Sequence, residues 1–131
     1  MLIAERIALA RDGKLAMLIC EMPSGWAVLG DAQFLEGYCV LLADPMVPDL
    51  TDLDGNARAR FLLDMSLIGE ALMAVTPAYR INYQILGNQE PWLHAHVLPP
   101  VCQRTRRVPS RPRVGLPQEA TRRGAVLRPT P

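Results

Sequence analysis

One long helical pattern divides a series of short apolar segments in this chain. From Ala57 onward, apolar residues recur in steps of four and three, which is the spacing of one helix face. The residues of this stripe are Phe61, Met65, Ile68, Leu72 and Val75. Asp52 or Asp54 can cap the start of the helix, and Thr76-Pro77 ends it. The helix must bury its apolar face, and the short segments on either side are the candidate partners.

The short apolar segments are predicted to be β-strands. They are residues 16–22, 26–31, 37–44, 78–87 and 93–99. The turn signal Pro23-Ser24-Gly25 joins the first two into a hairpin, and residues 37–44 are apolar on both faces, as in a central strand. Residues 2–11 predict a short amphipathic helix. Because the connections are short, the strands should pair antiparallel, which indicates an α+β fold.

Charge divides the 131-residue chain after about residue 100. Residues 1–100 carry 6 Lys+Arg and 12 Asp+Glu, whereas residues 101–131 carry 8 Arg, one Glu and five Pro. The second segment also has no Lys, Tyr, Trp or Phe, so it cannot bury enough apolar surface to fold. We therefore expect one globular domain over residues 1–100 and a poorly packed tail over residues 101–131.

The apolar runs and the cysteines indicate the cellular compartment of the protein. No apolar run reaches the ~18 residues of a membrane span, and the N-terminal residues are charged from position 5, without a signal-peptide core. Cys20, Cys39 and Cys102 are odd in number and form no C-x-x-C pair. They argue against a disulfide framework and a structural zinc site. We expect a cytoplasmic protein with no membrane partner.

Both histidines of the chain lie in the last predicted strand. Side chains two apart on a strand face the same way, so Trp92, His94 and His96 share one face. Three interpretations are open at this point. The histidines are ordinary half-exposed residues, or they bind a metal with a third ligand such as Asp31, a cysteine or Glu90. In the third, one imidazole is a nucleophile or general base and the other arranges the hydrogen bonds around it.

The residues around the histidines add a resemblance. Segment 87–99, GNQEPWLHAHVLP, resembles the signature of the histidine triad superfamily, in which a glycine and a polar residue precede alternating histidines and apolar residues. Residues 30–41, GDAQFLEGYCVL, resemble the nucleoside-binding hairpin of that family. The resemblance covers residues 1–100. It implies a five-stranded antiparallel sheet with two helices, usually paired into a symmetric homodimer.

The family resemblance also implies an activity and a set of site residues. Members hydrolyse or transfer nucleoside monophosphates from dinucleoside polyphosphates and phosphoramidates, through a nucleotidyl-histidine intermediate. His94 matches the nucleophile, and His96 matches the histidine that contacts the phosphate or leaving group. The remaining nucleotide-binding positions are Asp31 at the ribose, Asn82 at the phosphate, and Gly87 and Asn88 in the phosphate-approaching turn. No metal or other cofactor is implied.

Trp92 departs from the family pattern, because it occupies the position of the first histidine. It either covers the pocket or packs as ordinary core. Since that histidine has a supporting role, we expect weakened or altered activity. The alternative function is a non-catalytic nucleotide-binding or regulatory protein.

Two interpretations of the tail remain open. One is a shifted reading frame: when one base is dropped after the Pro99 codon, a permitted set of codons for residues 100–110 encodes RYASEPDEFR. That peptide resembles the family's ending, Pro-Arg-Tyr followed by an acidic segment. The other is a basic tail that binds nucleic acid through arginine–phosphate contacts. We favour the first, because no aromatic residue lies among the arginines.

Overall fold

The computed structural model describes residues 1–33 and 35–100, and the predicted tail lies outside the described residues. The described elements alternate as helix, three strands, helix and two strands. They are α1 (Ile3–Arg11), β1 (Leu18–Met22), β2 (Gly25–Leu29), β3 (Cys39–Ala43), α2 (Gly55–Val75), β4 (Asn82–Gln84) and β5 (His94–Leu98). A 3₁₀ turn at Leu50–Asp52 precedes α2. Within the described part of the chain, no helix is long and apolar enough to span a membrane.

The five strands form one antiparallel sheet in the order β1-β2-β3-β5-β4. β3 lies in the middle, and all five of its residues are buried, as the apolar segment predicts. β5 pairs with β3 on one side and β4 on the other, so Leu42 lies opposite His94 and Val40 opposite His96. The predicted α+β class is confirmed.

Each face of the sheet is covered by one helix. On the first, called the α2 face, Phe61, Ile68 and Leu72 pack with Leu93, Ala95 and Val97. On the second, called the α1 face, three residues of α1 pack with alternate residues of β2 and β3. That cluster contains Ile3, Ile7, Ala10, Trp26, Val28, Val40 and Leu42. Since side chains alternate along β5, the two histidines lie on the α1 face.

Local chemistry explains where the two helices begin and end. In α1, the Glu5 carboxylate accepts a hydrogen bond from the Leu2 amide at 2.8 Å. After α1, Gly13 adopts φ of +70°, a left-handed conformation that glycine tolerates without strain. In α2, Asp54 is the N-cap, because its carboxylate accepts from the Ala57 amide at 2.8 Å. Asp52, the other predicted cap, belongs to the 3₁₀ turn.

One sequence prediction on α2 needs correction. Val75, assigned to the buried stripe, is 78% exposed, because it is the last helical residue. Asp64 lies outside the stripe, yet it is fully buried. Its Oδ2 accepts from the amide and hydroxyl of Ser24 at 2.9 and 2.7 Å, and Arg60 Nε lies 3.0 Å from its Oδ1. Asp64 therefore joins α2 to the β1–β2 turn.

The strand predicted over residues 78–87 is much shorter in the structure. Only Asn82–Gln84 pair with β5, opposite Leu98, Val97 and His96. Beyond Gln84 the chain leaves the sheet, and Leu86 and Asn88 turn toward a cavity on the α1 face. The apolar residues Ile85 and Leu86 extended the pattern in the sequence, but both are exposed.

Candidate functional site

A cavity of about 550 Å³ lies on the α1 face beside β5. Its walls come from α1, the β2–β3 loop, β3, the segment before β5, and β5 itself. The polar residues that line it are Arg6, Asp31, Tyr38, Asn88, Gln89, Glu90, His94 and His96. The apolar side chains of Ile3, Val40, Leu42 and Leu86 complete the wall. The cavity thus combines an apolar surface with convergent polar groups, as binding sites for small molecules do.

His94 is held in one tautomer by the main chain. Its Nδ1 lies 2.8 Å from the carbonyl oxygen of Trp92. A carbonyl oxygen can only accept a hydrogen bond, so Nδ1 carries the proton and donates it. In the neutral ring, Nε2 then keeps its lone pair. The side chain is only 8% exposed, and it lines the cavity.

His96 lies edge-on to His94 and contacts Tyr38. The two imidazole centroids are 4.9 Å apart, with an interplanar angle of 79°. The Tyr38 hydroxyl lies 2.5 Å from Nδ1 of His96, and the two rings stack with centroids 5.7 Å apart. Burial, and then the neighbouring His94, hold the pKa of His96 below its ordinary value. His96 is therefore neutral at pH 7, because its ordinary pKa of about 6.5 is already below that pH.

Tyr38 reaches His96 because Gly30 has no side chain. A Cβ at Gly30 would lie 2.2 Å from two carbons of the Tyr38 ring, far inside van der Waals contact. The Gly30 amide also donates to the Tyr38 carbonyl at 2.9 Å. Burial raises the pKa of Tyr38, opposed by the nearby Arg6 charge, so its hydroxyl stays protonated.

Charged residues of α1 and two loops line the cavity. Arg6, whose side chain is 14% exposed, forms an ion pair with Asp31, whose side chain is 58% exposed. Glu90 accepts a long hydrogen bond from the Ile3 amide at 3.4 Å. These contacts link the start of α1 to the β2–β3 loop and to the segment before β5.

The structure places the predicted site residues in two groups. Asp31, Asn88, His94 and His96 line the cavity. Asn82, Gly87 and Trp92 do not line it. Gly87 lies between the lining residues Leu86 and Asn88, and Asn82 pairs with Leu98, on the same face as the histidines. Trp92 packs against the α1 cluster, and its carbonyl oxygen accepts a hydrogen bond from Nδ1 of His94.

Tyr38 and Arg6 are cavity residues that the sequence did not single out. Tyr38 is 58 residues from His96, and it begins a segment that is apolar on both faces, so strand alternation gave no reason to choose it. Arg6 follows Ile3 by three residues, a spacing that places both on the inner side of α1. That spacing was the one signal available for Arg6.

Metal binding was the second interpretation of the histidines. Among residues 1–33 and 35–100, no group of three or more His, Cys, Asp and Glu side chains could hold a metal ion. Neither Asp31 nor Glu90 joins the two histidines in such a group.

Comparison with known proteins supports the fold. The sequence matches no protein-family model, and no curated protein matches it. Solved structures do match. A histidine triad protein from Bradyrhizobium japonicum is 20% identical, with a TM-score of 0.56 over 86% of this chain and 89% of that chain. One from Sinorhizobium meliloti is 22% identical, with a TM-score of 0.57 over 91% and 89%.

A third similar structure is a histidine triad family protein from Bacillus anthracis. It is 14% identical, with a TM-score of 0.62 over 91% of each chain. At such identities the likeness concerns the fold. The chain has the histidine triad fold, and the predicted five-stranded antiparallel sheet with two helices is confirmed.

Proposed function

We propose that this protein binds a nucleotide in the cavity and hydrolyses or transfers its nucleoside monophosphate group through His94. The observation that carries the proposal is the hydrogen bond from Nδ1 of His94 to the Trp92 carbonyl oxygen, at 2.8 Å. That bond leaves Nε2 unprotonated in the neutral ring, beside a cavity large enough for a small ligand. A neutral imidazole is a nucleophile at pH 7.

The first chemical step forms a bond between His94 and phosphorus. The Nε2 lone pair attacks the α-phosphorus of a dinucleoside polyphosphate, and the bond to the leaving oxygen breaks. The electron pair of that bond leaves with the second nucleotide as a phosphate oxyanion. His94 is then nucleotidylated at Nε2 and still protonated at Nδ1, where the Trp92 carbonyl oxygen stabilises the positive ring.

The second step releases the nucleotide. A water molecule forms a new oxygen–phosphorus bond and loses one proton to solvent. The nitrogen–phosphorus bond breaks, and its electron pair returns to Nε2 as a lone pair. The product is a nucleoside monophosphate, and His94 regains its starting tautomer. An amine leaving group in a phosphoramidate takes a proton from solvent.

The other cavity residues suit the parts of a nucleotide. The exposed carboxylate of Asp31 can accept hydrogen bonds from ribose hydroxyls, and His96 and Asn88 can donate to phosphate oxygens. Gly87 permits the backbone before Asn88 to approach the phosphate closely. Asn82 lies on the histidine face but outside the cavity lining, so it acts on a phosphate only if the bound nucleotide extends past His96.

We further propose that the protein forms a symmetric homodimer. The short edge strand β4 and the adjoining segment expose Tyr83, Ile85 and Leu86. Among the described strands β4 is the last of the sheet, and an edge with apolar side chains is a suitable place for a second copy. Light scattering that gives the mass of one chain at micromolar concentration would contradict this part of the proposal.

The test is turnover of a substrate panel by wild type, His94→Ala and Ser66→Ala. The panel contains dinucleoside polyphosphates and nucleoside phosphoramidates, and release of AMP or GMP is measured. Ser66 is exposed on α2, across the sheet from the cavity, and serves as the control. We expect wild type and Ser66→Ala to turn over at equal rates and His94→Ala to lose the activity.

One outcome would favour the alternative function. Folded wild type that binds nucleotide with micromolar affinity but releases no monophosphate would identify a non-catalytic nucleotide-binding protein. Trp92 in place of a supporting histidine would then be the first residue to revert. Absence of both binding and turnover would overturn the whole proposal.

A further inference from the structure

The Tyr38 ring is held by two neighbours, Gly30 and His96. It packs against the Gly30 backbone, in space that any Cβ would fill. It also stacks on the His96 imidazole, with an interplanar angle of 21°, and its hydroxyl lies 2.5 Å from Nδ1. Such a constrained hydrogen bond determines how the imidazole is presented to the cavity.

The direction of this hydrogen bond follows from the chemistry of the two groups. If His96 donated from Nδ1 to the phenol oxygen, its Nε2 lone pair would be directed at phosphate oxygens, which can only accept. If the Tyr38 hydroxyl donates to Nδ1, the proton of the neutral ring must be on Nε2, which becomes a donor. The imidazole nitrogen is also a stronger acceptor than the phenol oxygen, because it is the more basic group.

We propose that Tyr38 is a positioning residue, whose hydroxyl donates to Nδ1 of His96 and fixes that ring as an Nε2–H donor toward the substrate phosphate. The proposal rests on the proposed function and gives a role to Tyr38, a residue to which the family resemblance assigns none. The adjacent histidines then have opposite tautomers. His94 presents a lone pair for attack, and His96 presents a proton for a phosphate oxygen.

The surroundings of His96 contain further ionisable groups. Arg6 from α1, Asp31 from the β2–β3 loop and Glu90 from the segment before β5 line the same cavity, and His94 contacts the ring directly. A substitution at Tyr38 leaves all four in place. A change in His96 titration in that variant therefore reports on the Tyr38 hydroxyl.

The first test is ¹⁵N NMR of the histidine side chains in wild type and in Tyr38→Phe. In wild type above pH 7, Nδ1 of His96 should give the shift of an unprotonated imidazole nitrogen. In Tyr38→Phe the pKa of His96 should rise, because a bond that favours the neutral ring has been removed. A protonated Nδ1 in wild type, or a pKa that falls or is unchanged in the variant, would overturn the proposal.

The second test is kinetic, on the substrate that wild type turns over best. Removal of an entire oxyanion donor typically lowers kcat about 10²–10³-fold. In Tyr38→Phe the donor, His96, is present but misoriented, so kcat should fall about 10-fold. KM should change less than about twofold, because the interaction strengthens in the transition state. Tyr79→Phe removes a phenol hydroxyl from a residue that does not line the cavity, and it should match wild type.

A double variant distinguishes positioning from a general structural effect. In a His96→Gln background, Tyr38→Phe should have no further effect on kcat, since the ring that it positions is gone. If kcat of the double variant instead falls by the product of the two separate losses, Tyr38 does not act through His96. A wild type without turnover would sink the proposed function, whereas the NMR measurement would still decide whether Tyr38 donates to His96.

Discussion

Nδ1 of His94 donates to the main-chain carbonyl oxygen of Trp92, two residues earlier, across 2.8 Å. The acceptor belongs to the backbone, so the tautomer of His94 does not depend on the side chain at position 92. The Trp92 indole instead packs with the α1 cluster. Trp92 is therefore compatible with the nucleophilic role that we propose for His94.

Asp31→Asn should weaken nucleotide binding more than it slows the chemistry. The Asp31 carboxylate lies at the cavity and is paired with Arg6. Loss of a contact that is equal in ground and transition states raises KM and leaves kcat nearly unchanged. We expect KM to rise about 10-fold, the loss of roughly one charge-assisted hydrogen bond.

The matched control for Asp31→Asn is Asp12→Asn. Asp12 is exposed at the end of α1, and it does not line the cavity. Steady-state kinetics give kcat and KM for both variants, and Asp12→Asn should match wild type. Equal KM values for Asp31→Asn and wild type would remove Asp31 from the binding site.

Gly30→Ala should disturb Tyr38 and, through it, His96. The new methyl group would lie 2.2 Å from the Tyr38 ring, so the ring must move away. Overpacking of this kind costs about 1–3 kcal/mol of unfolding free energy, and kcat should fall as in Tyr38→Phe. Gly55→Ala at the start of α2 is the control, because its methyl group would have no neighbour within 4 Å. Wild-type activity in Gly30→Ala would contradict the packing argument.

Stability should decrease as pH falls below about 6.5, the ordinary pKa of histidine. Burial first, and then His94, lower the pKa of His96 in the folded protein. Between the lowered and the ordinary pKa, the unfolded chain binds more protons than the folded one, so acid favours unfolding in that window. Below the folded-state pKa both states are protonated, and His96 contributes no further slope.

Urea unfolding at several pH values between 5 and 8 measures how the free energy of unfolding changes with pH. The His96→Gln variant is the comparison, because it keeps the other ionisable groups and lacks this imidazole. We expect a flatter dependence in His96→Gln. Identical slopes in the two proteins would show that His96 does not titrate differently on folding.

Asp64→Ala should lower the free energy of unfolding much more than Asp49→Ala does. It removes the acceptor for the amide and hydroxyl of Ser24 and leaves the Arg60 guanidinium without its ion-pair partner. Loss of the acceptor for two part-buried donors costs about 1–3 kcal/mol, and the Arg60 ion pair adds little because that side chain is 42% exposed. The control is Asp49→Ala, because Asp49 is exposed and its side chain makes no capping hydrogen bond. Urea unfolding monitored by circular dichroism should show a large difference between the two, and equal midpoints would contradict it.

The parts of the fold that the sequence predicts are those in which the spacing of apolar residues reports directly on burial. The stripe from Phe61 to Leu72 and the doubly apolar segment around Leu41 are such patterns, and they predicted the long helix and the central strand. The alternation of β5 also placed both histidines on one face. These features depend on residues that are close together in the sequence, so the local pattern is enough to predict them.

Features that depend on distant partners were not predictable. No local pattern indicates that Asp64 is buried, because its partner Ser24 is 40 residues away. The bond between Tyr38 and His96 spans 58 residues and requires the packing of Tyr38 on Gly30. The length of β4 was overestimated, because Ile85 and Leu86 continue the apolar pattern after strand pairing has ended.

The most direct test of His94 as the nucleophile is detection of a nucleotidyl group on its side chain. Wild type is mixed with its best dinucleoside polyphosphate, quenched under alkaline conditions within milliseconds and digested, and the peptide that contains residues 82–99 is analysed by mass spectrometry. The peptide should gain the mass of one nucleoside monophosphate residue, located on His94, and the gain should be absent in His94→Ala. Turnover by wild type with the adduct on another residue, or turnover retained in His94→Ala, would contradict this prediction.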